Sequence, residues 1–210
     1  MKLIVKDISK KIDGAVILEH ISFTAESGKI YGVLGRNGSG KTMLFRLLSG
    51  LMQIDSGSIE LDEKKLGTDF GVLPNLGLTL EHAGMFPNLS AYENLKYLAD
   101  IKGKIGKKEI YEAMERVGLD PKDSKKYGKY SVGMKQRVAI AQAIMEKPDI
   151  IMLDEPTSGL DTEGVMLIRN ILKEERDRGA LILLASHIKE DIDLLADCVF
   201  TIERGRKISE

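Results

Sequence analysis

Apolar positions along this chain change period from one third to the next. The first third reads as strands and turns. Residues 3–8 are apolar and β-prone, and Ile17, Ile21, Phe23 and Ala25 fall on one side of an alternating segment. After the Gly28-Lys29 turn, residues 30–34 form a short apolar run suited to a buried strand. A helix is predicted over 41–49, with Gly50 as its stop, and short strands over 58–61 and 76–81. Asp55-Ser56-Gly57 and Glu63-Lys64-Lys65 read as loops. The middle third is helical. Ser90-Ala91-Tyr92-Glu93 has the form of a capping box, and Leu95, Leu98 and Ala99 follow at helical spacing. A second helix is expected near 107–117, with Gly118 as its stop. The last third alternates: helix 132–146 ending before Pro148, strand 150–153, helix 161–178, strand 180–185, helix 188–195 and a closing strand over 198–202. Strands and helices taken in turn predict an α/β fold, with a parallel sheet covered on both faces.

The 210 residues suit one domain, or one domain with a sizeable insertion. Lys plus Arg number 31 against 32 acids, which argues against a nucleic-acid partner or a polybasic membrane anchor. The longest apolar run is six residues, 180–185, and a bilayer span needs about 20. Charge interrupts residues 1–11 early, so no signal peptide is expected. The single cysteine, Cys198, excludes an internal disulfide framework and suits a reducing compartment. Residues 101–130 hold nine Lys or Arg and five acids. That stretch is either a solvated helical face or a surface turned to anionic lipid heads. Glycine is the outlier, at 21 of 210 residues against an average of about 7%.

Several of those glycines lie in one motif. Gly35-Arg36-Asn37-Gly38-Ser39-Gly40-Lys41-Thr42 fits G-x-x-x-x-G-K-[ST], between a predicted strand and a predicted helix. Glycines let successive backbone N–H groups turn inward onto phosphate oxygens, and the helix start adds its own unpaired donors. Lys41 would place a charge near the β and γ phosphates. The Thr42 hydroxyl suits Mg²⁺, which takes oxygen ligands. Downstream, four apolar residues of strand 150–153 end in Asp154 and Glu155. A parallel strand delivers such residues to the sheet's C-terminal edge, where ligands of open α/β folds bind. Asp154 would face the metal, and Glu155 could polarise a water aimed at the γ phosphate.

Three further stretches give the sequence a family resemblance. Asp154-Glu155-Pro156-Thr157-Ser158-Gly159-Leu160-Asp161 looks like the second nucleotide motif and D-loop of the ABC transporter ATPases. Tyr130-Ser131-Val132-Gly133-Met134-Lys135-Gln136-Arg137, with alanines at 139, 141 and 143, is similar to their signature motif. His187, just past strand 180–185, matches their switch histidine. With the phosphate loop, these come in the family's order and cover the chain nearly end to end. A kinase or G protein would carry the first motif without the others.

The resemblance implies a single ATPase domain over 1–210. Its fold would be that of a P-loop NTPase, a RecA-like parallel core with an N-terminal antiparallel β subdomain and a helical subdomain inserted at about 85–147. It implies ATP and Mg²⁺ as cofactors, with ATP hydrolysed to drive a separate transmembrane permease. The chain would sit on the cytoplasmic, inner face of the cell membrane. It also implies a head-to-tail dimer, with itself or with a paralogous ATPase, around two ATP molecules. Each ATP would lie between one subunit's phosphate loop (Gly35, Asn37, Gly38, Ser39, Gly40, Lys41, Thr42) and the other's Ser131 and Gly133. Ser131 is at the same time a plausible N-cap. Asp161 is either an interface residue or a helix N-cap. Lys41, Glu155 and His187 would be the catalytic set.

Four positions depart from the family's pattern. Val132 stands where the signature usually has glycine and Met134 where it usually has glutamine. A β-branched residue does not reach positive φ cheaply, so the family's loop geometry is not assumed there. Ile12 replaces the aromatic residue that would stack on adenine. Glu81 falls where a glutamine metal ligand is usual, within a segment, 76–84, that resembles bacitracin- and lantibiotic-type exporter ATPases; Tyr92-Glu93-Asn94-Leu95 adds to that likeness. Glu81 is either a metal ligand or a tolerated replacement. A permease helix would then dock near Glu81 and 84–98, against Met85, Phe86 and Leu89. Two other readings stand beside this one: a soluble ABC-type ATPase acting on ribosomes or DNA, and a regulatory module that binds ATP without turning it over. The single set of motifs disfavours the former, and intact Lys41 and Glu155 the latter.

Overall fold

The computed structural model describes residues 1–80 and 84–209. Strands β1 (Lys2–Ile12) and β2 (Ala15–Glu26) form an antiparallel hairpin. Its two-residue turn is Asp13-Gly14, both with positive φ, the turn that matches strand twist. Then follow β3 (Lys29–Leu34), α1 (Lys41–Ser49), β4 (Ser56–Leu61), β5 (Lys64–Lys65) and β6 (Leu76–Thr79). Three helices come next: α2 (Ala91–Lys102), α3 (Lys107–Arg116) and α4 (Val132–Ile144). The rest alternates as β7 (Ile150–Asp154), α5 (Thr162–Asp177), β8 (Leu181–Ser186), α6 (Lys189–Leu195), β9 (Cys198–Glu203) and β10 (Arg206–Ser209).

Two sheets result. One is antiparallel, in the order β2-β1-β4-β5. The other runs β10-β9-β3-β8-β7-β6 and is parallel except for its edge strand β10. Every residue of β7 and β8 is buried, and neighbours along each strand feed opposite cores. Met152 and Leu183 pack with Phe45 of α1 and with Leu3 and Ile59 of the antiparallel sheet. Ile151, Leu153, Ile182 and Leu184 pack with Leu95, Ile140 and Ile168 of the helices. The alternation of side chains across a strand thus covers both faces of the parallel sheet. Truncating one such leucine to alanine should cost ~2–5 kcal/mol.

Three sequence expectations needed correction. Residues 56, 57, 64 and 65, read as loop, belong to β4 and β5. Their turn, Asp62-Glu63, has positive φ at both residues without a glycine to announce it. The strand expected to close the fold, β9, is followed by β10 across an Arg204-Gly205 turn of the same kind. The single-faced alternation in β2 breaks at His20, whose φ is 54°. The register slips there, from Lys10↔Leu18 to Ile8↔Ile21. A bulge of this kind moves later side chains to the other face. Leu18 therefore takes the buried place, and Ile17 turns half-exposed toward the phosphate loop.

Among the described residues no helix is long and apolar enough to cross a membrane. What matters for the site is the register of β3, β8 and β7. Leu34 pairs with Ser186, and Asp154 with Ala185. The phosphate loop, the Asp154-Glu155 step and His187 therefore leave the sheet side by side at its C-terminal edge.

Candidate nucleotide site

The loop between β3 and α1 turns where its glycines allow. Gly38 and Gly40 have φ of 78° and 112°. Gly35 is required by closeness instead: a Cβ there would lie 2.4 Å from Ser39 Oγ and 2.6 Å from the Ile202 carbonyl. Ser39 is nearly buried, and its Oγ has no hydrogen-bond partner among the described residues. Helix α1 starts at Gly40 with no side-chain cap and no acid in its first turn. Its first N–H donors are therefore left for a ligand, with the positive end of the helix dipole behind them. Lys41 is buried; its Nζ donates to the carbonyls of Gly35 (2.7 Å) and Arg36 (3.3 Å) and lies 3.3 Å from Glu155 Oε1. Asn37 and Thr42 line the same cleft, of about 320 Å³, together with Ile17 and Arg46. Arg46 is a second cation that the motif reading missed; its four-residue step beyond Thr42, one helical turn on, was the available signal.

The carboxylates meet this loop as the sequence predicted. Thr42 Oγ1 donates to Asp154 Oδ2, bringing the two expected metal-binding oxygens together. No group of three or more His, Cys, Asp or Glu able to hold a metal occurs among the described residues. Glu81, the third expected metal ligand, lies outside them. Glu155 has φ 50°, a strained conformation for a non-glycine residue. It is held by its own N–H on the Ala185 carbonyl (2.9 Å) and by the Gln136 amide donating to its carbonyl (3.1 Å). His187 Nδ1 is 2.8 Å from Glu155 Oε2, which also accepts from Ser186 Oγ at 3.3 Å. The carboxylate can only accept, so the Nδ1–H donates and Nε2 is left for another partner.

The signature residues assemble separately. Ser131 caps α4, its Oγ accepting from Met134 N at 3.2 Å. Val132 opens the helix without a positive φ and stands 70% exposed, so the replacement meets no backbone strain there. Gly133 is required by proximity: a Cβ there would lie 2.9 Å from the Gly159 carbonyl. Of its two offered roles, Asp161 takes that of N-cap. It caps α5 through Gly164 N (2.9 Å), and its Oδ1 lies 3.4 Å from Arg137 with the side chain largely exposed. Ser131, Gly133 and Asp161 line a second cleft, of about 640 Å³. Beside it, burial and the Asp123 carboxylate push the Tyr130 phenol up to about 12. None of the signature residues lines the phosphate-loop cleft.

A glycine-rich loop feeding an uncapped helix at the C-terminal edge of a parallel sheet, with a carboxylate pair opposite, defines a phosphate-loop nucleotide-binding protein. The model of one family, ABC transporter, matches residues 18–158. An uncharacterized ABC transporter ATP-binding protein of Bacillus subtilis, YybJ, is 46% identical over 202 residues, 96% of this chain and 93% of that protein. The bacitracin transport ATP-binding protein BcrA of Bacillus licheniformis is 38% identical, matching 100% of this chain and 70% of its own length. The lantibiotic transport ATP-binding protein SrtF of Streptococcus pyogenes is 32% identical, with 98% and 89% covered. Among solved structures, an ATP binding subunit of an ABC transporter superposes with a TM-score of 0.87 at 26% identity, covering 100% of this chain and 90% of that one. A dimeric bacterial ABC transporter cassette gives 0.86 at 22% identity, with 98% and 96% covered, a likeness of fold. The chain belongs to the ABC transporter family. It is an ATP-binding and ATP-hydrolysing subunit that powers a membrane permease.

Proposed function

We propose that this subunit drives export of an antimicrobial peptide or a similar amphiphile, and that Glu155, Lys41 and His187 carry its hydrolytic step. The observation that carries the catalytic reading is the contact chain Lys41–Glu155–His187 at the sheet edge, beside the uncapped start of α1. Residues 35–42 bind the phosphates, with Lys41 neutralising the β and γ groups. Glu155 orients and polarises the attacking water. His187 presents Nε2 toward the γ phosphate, its other nitrogen held by Glu155. Mg²⁺ fits the oxygen pair of Thr42 and Asp154, with Glu81 as a further ligand, and when bound supplies positive charge to the phosphates.

The chain acts as one ATPase domain, with residues 85–147 as its helical subdomain. Ser131, Gly133 and Asp161 serve the ATP held by a second subunit, so the working unit is a head-to-tail homodimer or a pair with a paralogous ATPase. The separation of the two clefts within one chain supports that reading. The permease docks on 84–98 at the cytoplasmic face of the membrane. In support, Phe86 is 48% exposed and packs edge-on against Tyr97, 54% exposed, at 5.2 Å. Met85 and Leu89, expected in that contact, are half-buried. Export of a peptide rests on the likeness to the bacitracin and lantibiotic transport proteins.

Glu155→Gln tests the core of this reading. The variant should bind ATP and elute as a dimer with ATP and Mg²⁺, while phosphate release falls by about 10²–10⁴-fold. Turnover within threefold of the parent, or a monomeric profile with ATP binding intact, would count against it.

A further inference from the structure

We infer that Asp191 is a positioning residue for hydrolysis, one that sets the geometry of the His187–Glu155 pair through Thr157. The inference rests on the catalytic reading of those two residues given above.

Asp191 lies in the first turn of α6, four residues after His187, and is 2% exposed. Its Oδ2 accepts from the hydroxyl of Thr157, itself 4% exposed and two residues after Glu155. Its Oδ1 accepts from Arg169 of α5, through Nε at 2.9 Å and Nη2 at 2.5 Å. Arg169 in turn reaches Glu190 at 3.3 Å. A buried carboxylate needs such partners, since burying its charge alone is strongly unfavourable.

The segment after β7 and the segment after β8 are therefore joined twice. One joint is His187–Glu155, at 2.8 Å, with the His187 side chain 44% exposed. An exposed pair of this kind is weakly held on its own. The other joint, Thr157–Asp191, is buried and anchored to α5 by Arg169. The dry joint fixes the spacing that the wet joint needs. A shift of about 1 Å at reacting groups can lower a rate by about 10²-fold. The bonds of Asp191 given above reach neither the phosphate loop 35–42 nor Ser131 and Gly133, so it acts through Thr157 on the pair.

The test measures ATP turnover of the purified chain for Asp191→Asn, Thr157→Val, Thr157→Ser and the Asp191→Asn/Thr157→Val double variant. Asp191→Asn and Thr157→Val should each lower kcat by about 10-fold with the KM for ATP within about twofold. The double variant should be no slower than the worse single, because both act through the Thr157–Asp191 contact. Thr157→Ser keeps the hydroxyl and should restore most of the rate. Ile168→Val, a core change in α5 outside the network, gives the kcat effect of lost stability alone. If Asp191→Asn does not fold, Thr157→Val carries the test. The inference is overturned if the folded variants differ from the parent in melting temperature but not in kcat, or if Thr157→Ser is as slow as Thr157→Val. His187→Ala and Glu155→Gln run alongside: if they keep the parental rate, the catalytic reading fails first.

Discussion

The starts of α1 and α4, both proposed above to meet phosphate, are built differently. Helix α1 begins at a left-handed Gly40 with no side-chain acceptor, so its first donors remain for a ligand. Around it stand fixed charges: Lys41, Asp154 and Glu155. Helix α4 begins at Ser131, which already accepts from Met134 N. One of its donors is used, and what remains is the serine's own O–H proton with the outer N–H groups. The flanking Val132 is apolar and exposed. The first site holds Lys41 and the carboxylate proposed as catalytic; at the second, the helix start itself offers neutral donors. In the dimer proposed above, one chain would bring the chemistry to an ATP and the other would close over it.

The largest effect should come from breaking the charged half. Lys41→Ala removes a buried cation, leaving Glu155 Oε1 and two loop carbonyls without it. Hydrogen bonds to charged groups are worth about 1.5–3 kcal/mol, so ATP affinity should fall about 10–100-fold. Calorimetric titration with ATP checks this. Affinity within threefold of the parent would erase the distinction between the two helix starts. Ser131→Ala should act more mildly and elsewhere. Losing the cap should cost about 1 kcal/mol of stability, read from thermal or urea unfolding. ATP affinity of the single chain should stay within about twofold, while turnover at saturating ATP falls about 10-fold. A drop in single-chain affinity like that of Lys41→Ala would show that the two clefts are not separate sites.

The two halves were also unequally legible. The phosphate loop was readable because each of its residue types has a separate physical task, and the structure brings Thr42, Asp154, Glu155 and His187 together at one sheet edge. Helix α1 was bounded correctly, since Gly50 ends it in the left-handed conformation. The signature half was less legible. Val132 is the first residue of α4, as the helix read over 132–146 implied, so the missing glycine costs nothing there. Gly133 has a structural reason in the Gly159 carbonyl 2.9 Å from its would-be Cβ, a tertiary contact that no local pattern reveals. Gln136 reaches Glu155, Asp191 reaches Thr157 and Arg169 reaches Asp191, each from a distant part of the sequence, so these contacts needed the fold. In the antiparallel sheet, a bulge at His20 reversed the inferred face, because periodicity holds only while the backbone stays extended.

A third helix start sharpens the comparison with the smallest effect. Helix α2 is closed at both ends of its capping box: Ser90 Oγ accepts from Glu93 N at 3.2 Å, and Ser90 N donates to Glu93 Oε2 at 2.6 Å. Two of its first N–H groups are taken, and the Glu93 carboxylate stands against an anion there. The Ser90 backbone and side-chain hydrogen bonds hold the Glu93 carboxyl below the usual glutamate range, with Lys126 adding to this. A carboxyl lowered in the folded state stabilises above its ordinary value, and the contribution is lost as pH falls through the folded value. The parent should therefore lose stability between about pH 5 and about pH 3 in part through α2, and Glu93→Gln should flatten that part of the profile. Amide exchange locates the effect: acid should lower the protection factors of Glu93 and Asn94, and ATP at neutral pH should raise those at the start of α1 but leave α2 unchanged. If ATP protects α2 equally, an open helix start is not what distinguishes the nucleotide site, and the contrast between α1 and α4 loses its physical basis.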